Sequence, residues 1–115
     1  MSFVFDVEKR TNVFVFHLSG RLISLEGIQQ VIETAEKNLT PEMNSIICDC
    51  KDLEYCNSSG LNLFVRLLTK SRAQGGECIL FGLHGSVQKL FELSKLNQIF
   101  TLVVSEEEAL TRINQ

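Results

Sequence analysis

The chain has 115 residues, 44% of them hydrophobic, and its 11 Lys and Arg against 14 Asp and Glu leave a net charge of −3. That is enough apolar mass for one domain, residues 1–115, around a single core. The mild acidity gives no electrostatic case for direct binding of nucleic acid or of an anionic membrane. No run is long enough to insert in a bilayer, and the first residues lack the basic start and apolar stretch of a secretion signal, so a cytoplasmic location is expected.

Phe3-Val4-Phe5-Asp6-Val7-Glu8 and the β-branched, aromatic run Val13-Phe14-Val15-Phe16-His17-Leu18 are separated by the polar Lys9-Arg10-Thr11-Asn12. This pattern predicts a β-hairpin. Gly20 and Arg21 then break the strand run. Ile28, Val31, Ile32, Ala35 and Leu39 trace an amphipathic stripe, with Glu26, Gln29, Gln30, Glu33, Glu36 and Lys37 opposite. The only proline, Pro41, punctuates the connection to a short apolar strand over Ile46–Cys50, as expected for a buried central strand.

Asp52, Leu53 and Glu54 carry the chain to Cys56-Asn57-Ser58-Ser59-Gly60-Leu61. Behind it, Leu61, Phe64, Val65 and Leu68 recur at helical spacing, and Leu63 and Leu67 widen the apolar face. A helix is predicted from about Ser58 to Ala73, ended by Gly75-Gly76, with Arg66, Lys70 and Arg72 towards its negative end. Cys78–Phe81 is a further apolar strand. After Gly85-Ser86, the residues Val87, Leu90, Phe91 and Leu93 start a short helix, and Phe100–Val104 supplies a last strand. Ser105 followed by Glu108 is a capping box for a terminal helix with Ala109, Leu110 and Ile113 inside. The order β-β-α-β-α-β-α-β-α implies parallel pairs joined by right-handed crossovers.

The four cysteines, Cys48, Cys50, Cys56 and Cys78, show none of the usual zinc spacings. They are expected to be reduced, free of metal and packed in the core, where cysteine serves as a small hydrophobe. His17 and His84, the only histidines, lie far apart with no carboxylate partner evident from spacing, and neither is assigned a role. No metal-ligand set, no phosphate-cradling glycine motif and no serine with a locally marked base is present. The sequence argues for no cofactor and no enzyme.

That leaves the serine stretch as the candidate site. Ser-Ser-Gly before a helix is an ordinary cap, and most such caps do no chemistry. Yet the free N–H groups and the dipole at a helix start favour negative charge, which makes this a place to accept, carry or sense a phosphate.

Leu53-Glu54-Tyr55-Cys56-Asn57-Ser58-Ser59-Gly60-Leu61 resembles the signature of the STAS domain of anti-sigma-factor antagonists and sulfate transporter tails, where an apolar strand runs into Asp-Ser-Ser-Gly-Leu. Gly75–Leu83, Val87–Leu96 and Ser105–Leu110 resemble the same family, so the likeness spans nearly the whole chain. It implies an α/β fold, a mixed and mainly parallel sheet with an N-terminal β-hairpin and about four helices packed on it, on one side. It also implies a bacterial partner-switching regulator of transcription. Such a protein binds an anti-sigma factor of the serine-kinase type, is released when that kinase phosphorylates the first serine, and is restored by a serine phosphatase. By position the phosphorylated residue is Ser58 rather than Ser59, and the partner surface comprises Asn57, Ser58, Ser59, Gly60 and Asn62. Two departures stand out: Ile23-Ser24 replaces a frequent Leu-Asp pair, and Asn57 replaces the acid before the serine. Small STAS proteins that serve as constitutive adaptors, for example in lipid-transport ATPase complexes, offer an alternative without a phosphorylation switch. A small-ligand sensor is a third.

Overall fold

The computed structural model describes residues 2–114. Its strands are β1 (Val4–Lys9), β2 (Val13–Leu22), β3 (Ser45–Cys56), β4 (Cys78–Phe81) and β5 (Thr101–Val103). The helices are α1 (Leu25–Asn38), α2 (Ser58–Ala73), α3 (Gly85–Leu93) and α4 (Glu106–Ile113), with a 3-10 turn at Leu96–Gln98 before β5. The strands lie side by side in chain order, β1-β2-β3-β4-β5. β1 pairs antiparallel to β2, and every other pair is parallel.

Because each parallel strand is laid next to the one before it, the right-handed crossovers α1, α2 and α3 fall on the same face. That face carries the main core: Phe16, Leu18 and Ile46 of the sheet pack with Ile32 of α1, Phe64 and Leu67 of α2, and Phe91 of α3. The rings of Phe64 and Phe91 meet edge-on at 5.4 Å, and those of Phe91 and Phe100 at 5.7 Å. All four cysteines are free thiols buried on this side, with the sulfurs of Cys48 and Cys78 4.0 Å apart.

The one-sided arrangement of helices does not extend to α4. Among the described residues it does not connect two parallel strands, so the crossover rule does not fix its side. It covers the apolar strip that alternation places on the opposite face, with Ala109, Leu110 and Ile113 against Val13, Val15, Ile47, Ile79, Phe81 and Val103. Its cap also differs in detail: the Ser105 hydroxyl accepts from the Glu108 N–H at 3.1 Å, but the Glu108 carboxylate reaches back to the N–H of Val104 at 3.2 Å.

β3 is much longer than the apolar run Ile46–Cys50. Relative to β2 it gains an extra residue twice, between the pairs His17–Asp49 and Ser19–Asp52 and between Gly20–Leu53 and Arg21–Tyr55. These bulges bring Cys50, Leu53 and Cys56 inward at intervals of three residues and leave Lys51, Asp52, Glu54 and Tyr55 exposed. An alternation test cannot detect such a strand. β2 likewise continues through Gly20, whose φ of +89° carries the chain past the irregularity instead of ending it. On α3, Val87 and Phe91 are buried while Leu93 is exposed.

His17, to which spacing assigned no carboxylate, lies between two. Its Nδ1 is 2.6 Å from Oδ2 of Asp49 and its Nε2 is 2.8 Å from Oε1 of Glu8. His84, the N-cap residue of α3, has its Nε2 2.9 Å from the Lys51 carbonyl and so joins that helix to the projecting half of β3.

Candidate functional site

β2 and β3 end level, with Leu22 paired to Cys56, so the loops that lead into α1 and α2 leave the same rim of the sheet. The two are joined at Asn57, the N-cap of α2. Its side-chain Oδ1 accepts from the Gly60 N–H at 2.9 Å, and its Nδ2 donates to the Ile23 carbonyl at 3.3 Å. Its own carbonyl accepts from Leu61 N–H at 2.8 Å, the first bond of the helical ladder. Gly60 lies so close to the preceding loop that a Cβ there would stand 2.4 Å from the Leu22 carbonyl oxygen and 2.9 Å from the Cys56 Cβ. Only glycine lets the helix start approach the end of β2 this closely.

The consequence is a fixed platform with two hydroxyls on it. Ser58 and Ser59 are the first two residues of α2 and both are exposed, as is Asn62 one turn on; Asn57 is half-buried and Gly60 buried. Gly60 therefore sets the approach of the loops, while the other four reach solvent. Among the described residues no side chain is hydrogen-bonded to the hydroxyl of Ser58 or Ser59, and their backbone N–H groups, unlike that of Gly60, have no acceptor. α2 carries no acid in its first turn and has Lys70 and Arg72 in its last, so its start is a site of uncompensated positive partial charge. Beneath it, burial pushes the Cys56 thiol up to about 11, so at neutral pH it is protonated and is not a nucleophile.

Further residues at this rim escape a sequence reading. Ile23 and Leu25, in and just after the loop bonded to Asn57, are 43% and 74% exposed. The Arg21 guanidinium stacks 4.6 Å from the ring centre of Tyr55. A hollow of about 430 Å³ beside them is lined by Phe3, Arg21, Ile23, Ser24, Glu26 and Gln30. The available signal was two large apolar residues flanking a helix cap, which reads equally as the start of the α1 core stripe.

Comparison with known proteins decides the family. The sequence model of the STAS domain matches residues 4–109. The chain belongs to the STAS domain family. The anti-sigma F factor antagonist of Paenibacillus polymyxa is 24% identical over 113 residues, 98% of this chain and 97% of that protein. The anti-sigma factor antagonist SpoIIAA in its unphosphorylated form superposes with a TM-score of 0.80 at 25% identity, covering 96% of each chain. The Bacillus cell fate determinant SpoIIAA in its phosphorylated form gives 0.74 at 24% identity, over 96% of this chain and 99% of that one. The STAS fold is thus shared across the whole sheet and its helices. No helix among the described residues is long and apolar enough to cross a membrane.

Proposed function

We propose that this STAS protein is an anti-sigma factor antagonist that acts by binding and not by catalysis. In this reading the exposed surface at Asn57, Ser58, Ser59 and Asn62 meets an anti-sigma factor of the serine-kinase type. Phosphorylation of Ser58 ends the contact, and a serine phosphatase restores it. The observation that carries the reading is the setting of Ser58: an exposed hydroxyl on the first residue of α2, with an unpartnered N–H, on a loop that Asn57 and Gly60 hold in place. The kinship with anti-sigma factor antagonists, one of them known in unphosphorylated and phosphorylated forms, supports it.

The physics fits a switch. A phosphate adds about −1.5 to −2 charges at neutral pH. The helix start accommodates that charge without disturbing the fold. In a docked complex, flanked by the apolar Ile23 and Leu25, the same charge must lose its water against a surface shaped for a hydroxyl. Each loss of about 1.4 kcal/mol weakens binding tenfold.

One observation favours a second reading, a constitutive adaptor such as a subunit of a lipid-transport ATPase complex. Asn57 uses both ends of its carboxamide within the fold, and its donor to the Ile23 carbonyl is one that an ionised Asp lacks. The loop is thus built without the acid that usually precedes the serine. Incubation with the cognate kinase, followed by peptide mass spectrometry, separates the two. Partner switching expects modification of wild type and of Ser59→Ala but not of Ser58→Ala, and weaker partner binding by Ser58→Asp. Absence of modification on both serines, with Ser58→Asp binding as well as wild type, leaves the constitutive adaptor.

A further inference from the structure

Away from the serine loop, a chain of charged side chains crosses the sheet on the face that α4 only partly covers. We propose that His17 is held as an imidazolium that fastens edge strand β1 to β2 and β3, and that this fastening loosens as pH rises. Carboxylate oxygens accept hydrogen bonds, and a neutral imidazole carries a single N–H. Here Asp49 Oδ2 stands 2.6 Å from Nδ1 and Glu8 Oε1 stands 2.8 Å from Nε2. A neutral ring would turn a lone pair on one of these oxygens, whereas the imidazolium donates to both.

The surroundings hold the charge in place. From β1, Asp6 lies opposite His17 in the register and Glu8 lies on the diagonal. From β3, Asp49 is almost fully buried and also accepts from the Lys51 backbone N–H at 3.1 Å and from its ammonium at 2.5 Å. Beyond Glu8, Arg10 sits 3.3 Å from its carboxylate and 2.6 Å from Glu106 of α4, so the chain extends to that helix. Burial, the largest single influence on the ring, pushes its pKa down. The hydrogen bonds to Asp49 and Glu8 outweigh it, and the net direction is up from 6.5. A raised folded-state pKa contributes stability that is complete below the unfolded value, about 6.5, and lost as pH rises through the folded one. Alkaline titration therefore removes one of the two bonds and the cation between Asp49 and Glu8, and the side-chain fastening of β1 to β3 loosens.

The test is an NMR titration of the histidine ring in the full chain, with His84→Gln to leave His17 as the only histidine. The expected result is a midpoint above 6.5 with protons on both ring nitrogens at pH 6. In Glu8→Gln, a change at an exposed residue that spares the core, the midpoint falls. Urea unfolding at pH 6 and pH 8.5 then shows a drop in transition midpoint for wild type that is smaller in Glu8→Gln. A midpoint at or below 6.5, a midpoint unmoved by Glu8→Gln, or equal urea transitions at the two pH values would each overturn the proposal.

Discussion

The two faces of the sheet are held by different physics. On the helix side, three crossover helices enclose large apolar side chains, with Phe16, Phe64 and Phe91 fully buried. On the other side α4 covers a smaller apolar strip, and the rest is a row of ions from Lys51 and Asp49 through His17 and Glu8 to Arg10 and Glu106. Apolar packing is insensitive to pH, whereas the ion row is stabilising only while its members hold their charges. The difference teaches where sensitivity lies in this molecule: the serine platform is anchored in the packed face alone, whereas edge strand β1 sets Phe5 and Val7 on that face and Glu8 in the titrating one.

The largest effect expected is on the packed face. Phe64→Ala removes a ring that contacts Phe91 and should cost about 3–5 kcal/mol, equally at pH 6 and pH 8.5. A cost that changed strongly with pH would erase the contrast between the faces. Asp49→Asn on the other face replaces the carboxylate shared by His17 and Lys51 with a neutral amide that has one acceptor oxygen, and should cost about 1.5–3 kcal/mol. Its signature is a flattened pH profile. Lys51 and His17 bonds outweigh burial and lower the Asp49 pKa, and the His17 bond lowers that of Glu8. The carboxylates therefore contribute fully above about pH 4 and His17 fully below about 6.5, fading as pH rises further, so wild type has an extra stability window that shrinks in the variant to what the Glu8–His17 pair supplies. Urea unfolding across pH 3.5–9 measures it.

Gly60→Ala tests how rigidly the platform is tied to the packed face. A methyl that must stand 2.4 Å from the Leu22 carbonyl forces the loops apart and should cost about 1–3 kcal/mol, with altered amide shifts at Ile23 and Asn57. An unchanged Tm and unchanged shifts would show that the two loops are not jointly fixed. Ser58→Ala should be the mildest, within about 0.5 kcal/mol of wild type, because its exposed hydroxyl holds nothing in the fold. A larger loss would make Ser58 a structural cap and remove the basis for reading it as a free regulatory hydroxyl.

How much of this was legible differs element by element. α2, expected from about Ser58 to Ala73, spans those residues because its signals are local: an apolar stripe, a Gly pair whose N–H groups bond back to Arg72 and Ser71 at 3.0 and 2.8 Å, and a polar start at which the structure makes Asn57, and not the serines, the cap. β3 was cut short at Cys50, because two bulges replace its period of two with a period of three. The serine loop itself was visible in the motif, yet its apolar neighbours Ile23 and Leu25 were not, since in one dimension they merge with the stripe of α1.

By itself the sequence determined the alternation of strands and helices, the STAS family and the position of two hydroxyls at a helix start. Each of these is written in neighbouring residues, in periodicity and caps that act over a few positions. Only the tertiary structure decided that α4 covers the opposite face, that Asn57 ties its loop to Ile23, and that His17 lies between Glu8 and Asp49. The last two join residues 34, 9 and 32 positions apart. Such contacts follow from strand order and register, which arise from burying all the apolar faces at once, and no short window of the chain contains them.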